Sequence, residues 1–230
     1  MKRILFALLA FAVSTVSSFG QTGQSYALAK EGATVRYSFK YGEKLAAYAD
    51  VTVTKNEKDG TKETVTTLWT MLNKKGKPSK TASLIGAGKG IMYNIKLDNG
   101  SYYLTTDLIF GGGGIERSGY LLKMPGELKQ GDEIEGGTLR LTHKFMGRKT
   151  HNVITCSGFK VTGEAEVKTE TGTIKCLAIT GKVSGEFQTV KIDETQTWLI
   201  APGIGIVKQE SKYLDEKRPC VAEVCQTSGL

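Results

Sequence analysis

The sequence predicts an all-β protein, an antiparallel barrel, half-barrel or sandwich, and three observations predict it. Apolar residues recur at every second position through most of the chain, the period that sends one face of a strand inward and the other to water. Turn pairs such as Asp59-Gly60, Asn99-Gly100 and Thr171-Gly172 punctuate these runs, the pattern of about a dozen short strands joined by tight connections. No long stretch shows the period of an amphipathic helix.

The chain opens with Met1-Lys2-Arg3, an apolar run from Ile4 to Val13, and small or polar residues around Ser17, Ser18 and Gly20. Charge, a short apolar stretch and small residues in that order read as a secretory signal peptide over residues 1–20. The run is about half the roughly twenty residues that a membrane-spanning helix needs, and no later stretch is long enough. The expectation is therefore cleavage and a periplasmic or secreted product with no membrane span. One barrel-like domain over 21–230 follows, because no Pro-rich or Ser-rich linker divides it. No cysteine precedes Cys156, so the cleavage site offers no thiol for a lipid and the product does not read as a lipoprotein.

The first strand is Thr34 to Lys40, where Val35, Tyr37 and Phe39 share one face. Tyr41-Gly42-Glu43 ends it. Leu45 to Lys55 alternates next, with Ala47, Ala49, Val51 and Val53 on one side and Tyr48, Asp50, Thr52 and Thr54 on the other. A Thr-rich strand carrying Val65, Leu68 and Trp69 follows, apolar on both faces and so without a fixed register. Asn99-Gly100 accepts the positive backbone angles of a two-residue hairpin loop. It pairs Asp98 with Ser101, Leu97 with Tyr102, Ile95 with Leu104, Tyr93 with Thr106 and Ile91 with Leu108, which makes one face almost wholly apolar. Later strands are expected at Thr138 to Phe145, Phe159 to Lys168, Thr173 to Val183, Thr189 to Ile200 and Ile204 to Leu214, the last two separated by Ala201-Pro202-Gly203.

The chain carries 31 basic and 23 acidic residues, a net charge of +8, which falls to +6 once Lys2 and Arg3 are removed. Lysines crowd into turns such as Lys55-Asn56-Glu57-Lys58 and Lys74-Lys75-Gly76-Lys77, where they serve solubility. Export excludes nucleic acid as a partner. Cys156, Cys176, Cys220 and Cys225 would meet an oxidising compartment. Three connectivities exist for four cysteines. Cys220 and Cys225 enclose a short stretch after Pro219, which favours a local Cys220–Cys225 loop and leaves Cys156 with Cys176. The spacing is not that of a metal knuckle, and no histidine lies nearby.

Catalytic motifs are absent: no GxSxG, HExxH or CxxC occurs. The two histidines, His143 and His151, make no convincing ligand pair, and nothing calls for a cofactor or metal. Gly86-Ala87-Gly88-Lys89-Gly90 fails as a phosphate loop, with Ser83 and Gly90 where the first glycine and the hydroxyl residue belong. Gly111 to Gly114 reads as a loop or barrel-rim lid. Asp132, Glu133 and Glu135 lie in a glycine-rich turn without the spacing of an acid and base pair.

Four segments carry a family resemblance. They are Glu31-Gly32-Ala33-Thr34-Val35-Arg36-Tyr37, Pro125-Gly126-Glu127-Leu128-Lys129-Gln130-Gly131-Asp132, Val161-Thr162-Gly163-Glu164 through Gly172-Thr173-Ile174-Lys175-Cys176, and Thr197-Trp198-Leu199-Ile200-Ala201-Pro202-Gly203-Ile204-Gly205-Ile206-Val207-Lys208. In this order they resemble the TapB-like family of exported bacterial β proteins. The resemblance implies a single antiparallel, strongly curved sheet forming a barrel or half-barrel, similar to the YmcC-type envelope lipoprotein fold, and it implies no particular activity. Members often carry Tyr after the Trp, where this chain has Leu199. On its own chemistry the Trp198 segment reads as a buried aromatic, a Pro-Gly turn and a departing strand. The functional expectation is a nonenzymatic binding or structural module whose curved sheet takes a hydrophobic or glycan ligand, or an envelope protein. The alternative is a hydrolase of envelope polymers with carboxylates at a barrel mouth.

Overall fold

A computed structural model describes residues 25–79, 90–106, 108, 115–145, 148–187, 189–212 and 217–230, with the backbone alone at 115, 143–145 and 148–149. The signal-peptide reading, Gly86 to Lys89 and the Gly111 to Gly114 run lie outside the described residues.

Among the described residues fourteen strands form one antiparallel sheet. In chain order they are β1 (Thr34–Tyr41), β2 (Lys44–Asp59), β3 (Lys62–Leu72), β4 (Ile91–Asp98), β5 (Ser101–Leu104), β6 (Ile115–Gly119) and β7 (Leu122–Met124). Then come β8 (Glu133–Gly136), β9 (Thr138–Phe145), β10 (Arg148–Thr169), β11 (Gly172–Phe187), β12 (Val190–Ala201), β13 (Gly205–Ser211) and β14 (Cys220–Ser228). Twelve of the fourteen close into a barrel, running β11-β12-β13-β14-β1-β2-β3-β4-β5-β7-β8-β10 and back to β11, while β9 and β6 continue from β10 as a branch. Closure pairs each barrel strand on both sides over at least part of its length. No helix among the described residues is long and apolar enough to cross a membrane.

Register puts the alternating apolar residues inside. Directly paired residues share a face, so Val224 opposite Tyr37, Val51 opposite Trp69 and Val65 opposite Ile95 line one interior. The two-faced Thr-rich strand is thereby resolved: Val65, Thr67 and Trp69 point in and Leu68 points out. Residues ahead of β1 add to this interior. Tyr26, Ala27 and Leu28 are buried, held where the Ser25 carbonyl accepts from the Gly203 amide at 2.8 Å and the Tyr26 carbonyl accepts from Tyr102 Oη at 2.6 Å.

Two expectations are corrected. The stretch from Cys220 to Cys225 is not a closed loop. It belongs to β14, which pairs with β13 on one side and β1 on the other. Cys220, Ala222 and Val224 are buried while Val221, Glu223 and Cys225 are half-buried, an alternation that the pair of cysteines obscured. The Asn99-Gly100 hairpin has Asp98 opposite Ser101 and Leu97 opposite Tyr102 as expected, but those two rungs are the whole β4–β5 ladder. The other edge of β5 is paired to β7 from Tyr102 to Leu104. The inward alternation on β4 had another cause, since Ile95, Tyr93 and Ile91 pair across β3 and face the barrel interior whether or not β5 accompanies them.

Candidate functional site

The early end of the β4–β5 ladder opens the wall of the barrel. Along the inner face of β4, Leu97 beside the turn is 3% exposed, but Ile95, Tyr93 and Ile91 are only half-buried. β10 shows the complementary arrangement. Its residues Phe159 and Lys160 pair with β8, whereas Arg148 to Thr155 pair with β9. At one level the ring therefore closes through β5, β7 and β8, and at the other the branch β9-β6 comes round toward β4 with no ladder between β6 and β4 among the described residues.

A cleft of about 110 Å³, open to solvent, lies in this gap. Ile95 and Tyr93 of β4 form one wall, and Tyr102, Tyr103 and Leu104 of β5 form the other. Its floor is the packed interior, including Tyr37, Val51, Trp69, Leu28 and Ile206. The lining is mostly aliphatic and aromatic, with no Asp, Glu, Lys or Arg among the described residues that line it. Tyr37 and Trp69 stack with ring centroids 6.1 Å apart, and Tyr93 meets Trp69 edge-on at 5.8 Å.

The polar groups on the floor are committed to the barrel. Tyr37 Oη donates to the Ile206 carbonyl at 2.8 Å. Burial pushes the phenols of Tyr37 and Tyr102 well above the ordinary tyrosine range, so both remain neutral donors. Thr106 Oγ1 is buried at the cleft and has no hydrogen-bond partner. Behind it, the Leu108 amide donates to Gln209 Oε1 at 3.1 Å, and Gln209 Nε2 meets Gln196 Oε1 at 3.4 Å. Trp198 Nε1 donates to the same Gln196 oxygen at 2.6 Å. Glu194 accepts from Gln196, from Ser211 Oγ and from the Lys212 amide. These chains satisfy buried polar atoms and hold the wall of the barrel.

Basic and aromatic residues pack against two of the tyrosines that line the cleft. Arg117 of β6 lies over the Tyr93 ring, its guanidinium carbon 4.8 Å from the centroid, and its Nη2 donates to Tyr93 Oη at 3.1 Å. On the opposite wall Tyr103, 52% exposed, sits 4.7 Å from Tyr120. Lys123 Nζ is 5.9 Å from the Tyr103 centroid and 3.5 Å from Glu135. Register explains that group: Tyr103 faces Lys123 and Lys123 faces Glu135 on adjacent strands. A hydrogen bond from Tyr120 and the Lys123 charge hold the Glu135 carboxyl below its usual range.

The residues singled out from sequence are dispersed. Asp132 accepts from the Lys129 amide at 2.9 Å in a turn, Glu133 is exposed, and neither gathers with Glu135 at the cleft. His151 meets Thr142 on the surface at 3.1 Å, and the His143 side chain lies outside the described residues. Trp198 is fully buried against Phe159, centroids 4.9 Å apart. The structure brings neither expected cysteine pair together, and none of the four is joined in a disulfide. Cys220 and Cys225 stand five residues apart on one strand, a separation of roughly 16 Å. Cys156 faces Val183 while Cys176 faces Ala165, seven positions along β11, roughly 23 Å. A disulfide tolerates about 7 Å between Cα atoms. No group of three or more His, Cys, Asp or Glu suited to a metal occurs among the described residues. Arg117 and the β4–β5 cleft were missed from sequence; the tyrosines and inward aliphatics of β4 were the local signal.

Comparison with known proteins places the fold. An exported protein with a YmcC-like fold from Bacteroides fragilis superposes with a TM-score of 0.69 at 17% identity, over 89% of this chain and 99% of that one. A protein described as a lipoprotein from Parabacteroides distasonis gives 0.71 at 12% identity, over 90% and 100%. The barrel is therefore of the YmcC-like type. No curated protein matches the chain. The profile of the DUF3108-like family matches residues 30–218, and with that span matched the chain belongs to the DUF3108-like family.

Proposed function

We propose that this is an exported, nonenzymatic binding protein, periplasmic or secreted, that takes an apolar ligand into the cleft between β4 and β5. The observation that carries the reading is the departure of β5 from β4 after two rungs, which leaves inward apolar side chains of β4 half-buried beside an open cleft. Such a surface gains by covering. The opening residues, read as a signal peptide, support export, as does the description of the Bacteroides neighbour as exported.

Size and lining choose among the ligands. A cleft of about 110 Å³ is smaller than the roughly 150 Å³ cavity that accommodates benzene, so it takes a few carbons of a chain and not a whole lipid or a buried sugar ring. A sugar would also need several convergent polar partners, whereas Tyr37 and Tyr102 already donate to backbone carbonyls. Each buried methylene contributes about 0.8 kcal/mol, so the chain alone gives modest affinity. Among the described residues the cleft lining holds no carboxylate, which supports binding over hydrolysis.

The test is isothermal titration calorimetry with octanol, whose alkyl chain is of the width that the cleft admits. Saturable one-to-one binding that is lost when Leu104→Trp fills the cleft supports the reading. Absence of saturable binding, or binding indifferent to that substitution in a folded variant, overturns it.

A further inference from the structure

We infer that the part of the ligand held in this cleft carries one neutral oxygen, as an alcohol or a ketone does, and that the Thr106 hydroxyl donates a hydrogen bond to it. The inference rests on the apolar-cleft reading and adds to it the polar group that the cleft recognises.

Threonines interrupt a lining that is otherwise mostly aliphatic and aromatic, and two of them bring hydroxyls among buried apolar groups. Thr67 stands in the inward series Val65, Thr67, Trp69 and is 1% exposed. Its hydroxyl reaches the Tyr93 carbonyl at 3.5 Å. Thr106 Oγ1 is buried and has no hydrogen-bond partner among the described residues. Valine has nearly the shape of threonine and would fill the Thr106 position without burying a hydroxyl. A buried hydroxyl left unpaired lowers stability, and that cost is offset once a ligand brings an acceptor into the cleft.

Thr106 is placed to meet one. It follows Leu104, the last residue of β5, and precedes Leu108, whose amide is held by Gln209 Oε1 at 3.1 Å. As a residue Thr106 lines the cleft and is only half-buried. A turn of its side chain between staggered positions moves the hydroxyl without moving the backbone. The phenols deeper in are committed, since Tyr37 and Tyr102 donate to the carbonyls of Ile206 and Tyr26.

A neutral oxygen suits this place better than a charged group. No Lys, Arg, Asp or Glu is among the described lining residues, so a carboxylate or an ammonium would exchange its hydration for a single hydroxyl. An alcohol or ketone loses far less hydration, and one hydrogen bond offsets much of that loss.

The experiment is an NMR chemical-shift titration of the protein with hexanol, butyl methyl ketone, hexyl chloride and hexanoate at neutral pH. Each affinity is compared with the compound's own partition from water into hexadecane, where an oxygen finds no hydrogen-bond partner, and hexyl chloride reports the apolar cleft alone. Relative to hexyl chloride, hexanol and the ketone are expected to bind at least about tenfold better than partition predicts, with hexanoate weakest. Thr106→Val should remove most of that excess and leave hexyl chloride within about twofold, whereas Thr106→Ser should keep it. Affinities that simply follow partition, an excess that survives Thr106→Val, or hexanoate binding tighter than hexanol overturns the assignment to Thr106 and leaves the apolar cleft standing. Failure of every compound to bind saturably overturns both. The comparison on the unaltered protein needs no variant, so a substitution that failed to fold would not remove the test.

Discussion

Tyr37 and Trp69 lie face to face inside the barrel, their rings 6.1 Å apart and 4° from parallel. Tyr37 sits on β1 and Trp69 on β3, with β2 between them, so the stack ties three strands beneath the cleft. The phenol of Tyr37 reaches across to the Ile206 carbonyl at 2.8 Å, which joins this side of the barrel to β13.

Tyr37→Phe keeps the ring and removes that hydrogen bond, leaving a buried carbonyl without its donor. The expected cost is about 1–2 kcal/mol, seen as a lower urea midpoint with an unchanged slope. Because the ring remains against Trp69, tryptophan emission of the folded variant should match that of the parent. An unchanged midpoint would mean the carbonyl finds another donor.

Stability should also fall in alkali. Tyr37 and Tyr102 are fully buried, and desolvation raises both above the ordinary value of 10.0. A raised folded-state value means that the stabilising contribution is complete below pH 10, where the unfolded chain also holds its protons. It is lost as pH climbs from there toward the folded-state values, because the unfolded phenols release protons first. Tyrosinate absorbance should show two of the nine tyrosines titrating only as the protein unfolds. The double variant Tyr37→Phe, Tyr102→Phe should lose less stability between pH 9 and pH 11, and an equal loss would count against these two residues as its source.

What was legible in the sequence was local. Alternation around Val35, Tyr37, Val51 and Val53 gave the inner face, and Asn99-Gly100 gave the only two rungs that its turn controls. Rungs farther from the turn depend on whether β5 stays beside β4 past Tyr102 while its other edge is paired to β7, which no alternation encodes. The same limit hid Arg117 on Tyr93, a contact between residues 24 apart in sequence on strands that share no ladder. β14 was legible in principle, since Cys220, Ala222 and Val224 alternate with half-buried neighbours. There, expected sulfur chemistry competed with a strand pattern, and strand geometry keeps five-residue neighbours apart.

That geometry makes a direct prediction about the thiols. Denaturation without reductant in the presence of iodoacetamide should add four carbamidomethyl groups, one for each cysteine outside a disulfide. A bridge would remove two of them from the mass. In the folded protein Cys176 should be the slow one, since burial pushes its thiol up to about 12 and little thiolate exists at neutral pH. Half-buried Cys225 should label sooner, although burial and then Glu170 raise its thiol as well.

Gly181 on β11 offers the sharpest packing test. The Phe159 ring lies across its α-carbon, and a Cβ built there would stand 2.3 Å from the ring, closer than any real contact. On the other side Phe159 packs on Trp198 at 4.9 Å, and Trp198 is pinned by Gln196 at 2.6 Å. The ring therefore has no easy retreat: moving it from Gly181 presses it on an indole that is itself hydrogen-bonded. Gly181→Ala should cost about 1–3 kcal/mol as overpacking, measured by urea denaturation, even though alanine normally favours a strand over glycine. Pairing the substitution with Phe159→Leu, which vacates the space above the α-carbon, should recover part of that loss. A double-variant cycle with no coupling would show that Phe159 is not what reserves this position for glycine.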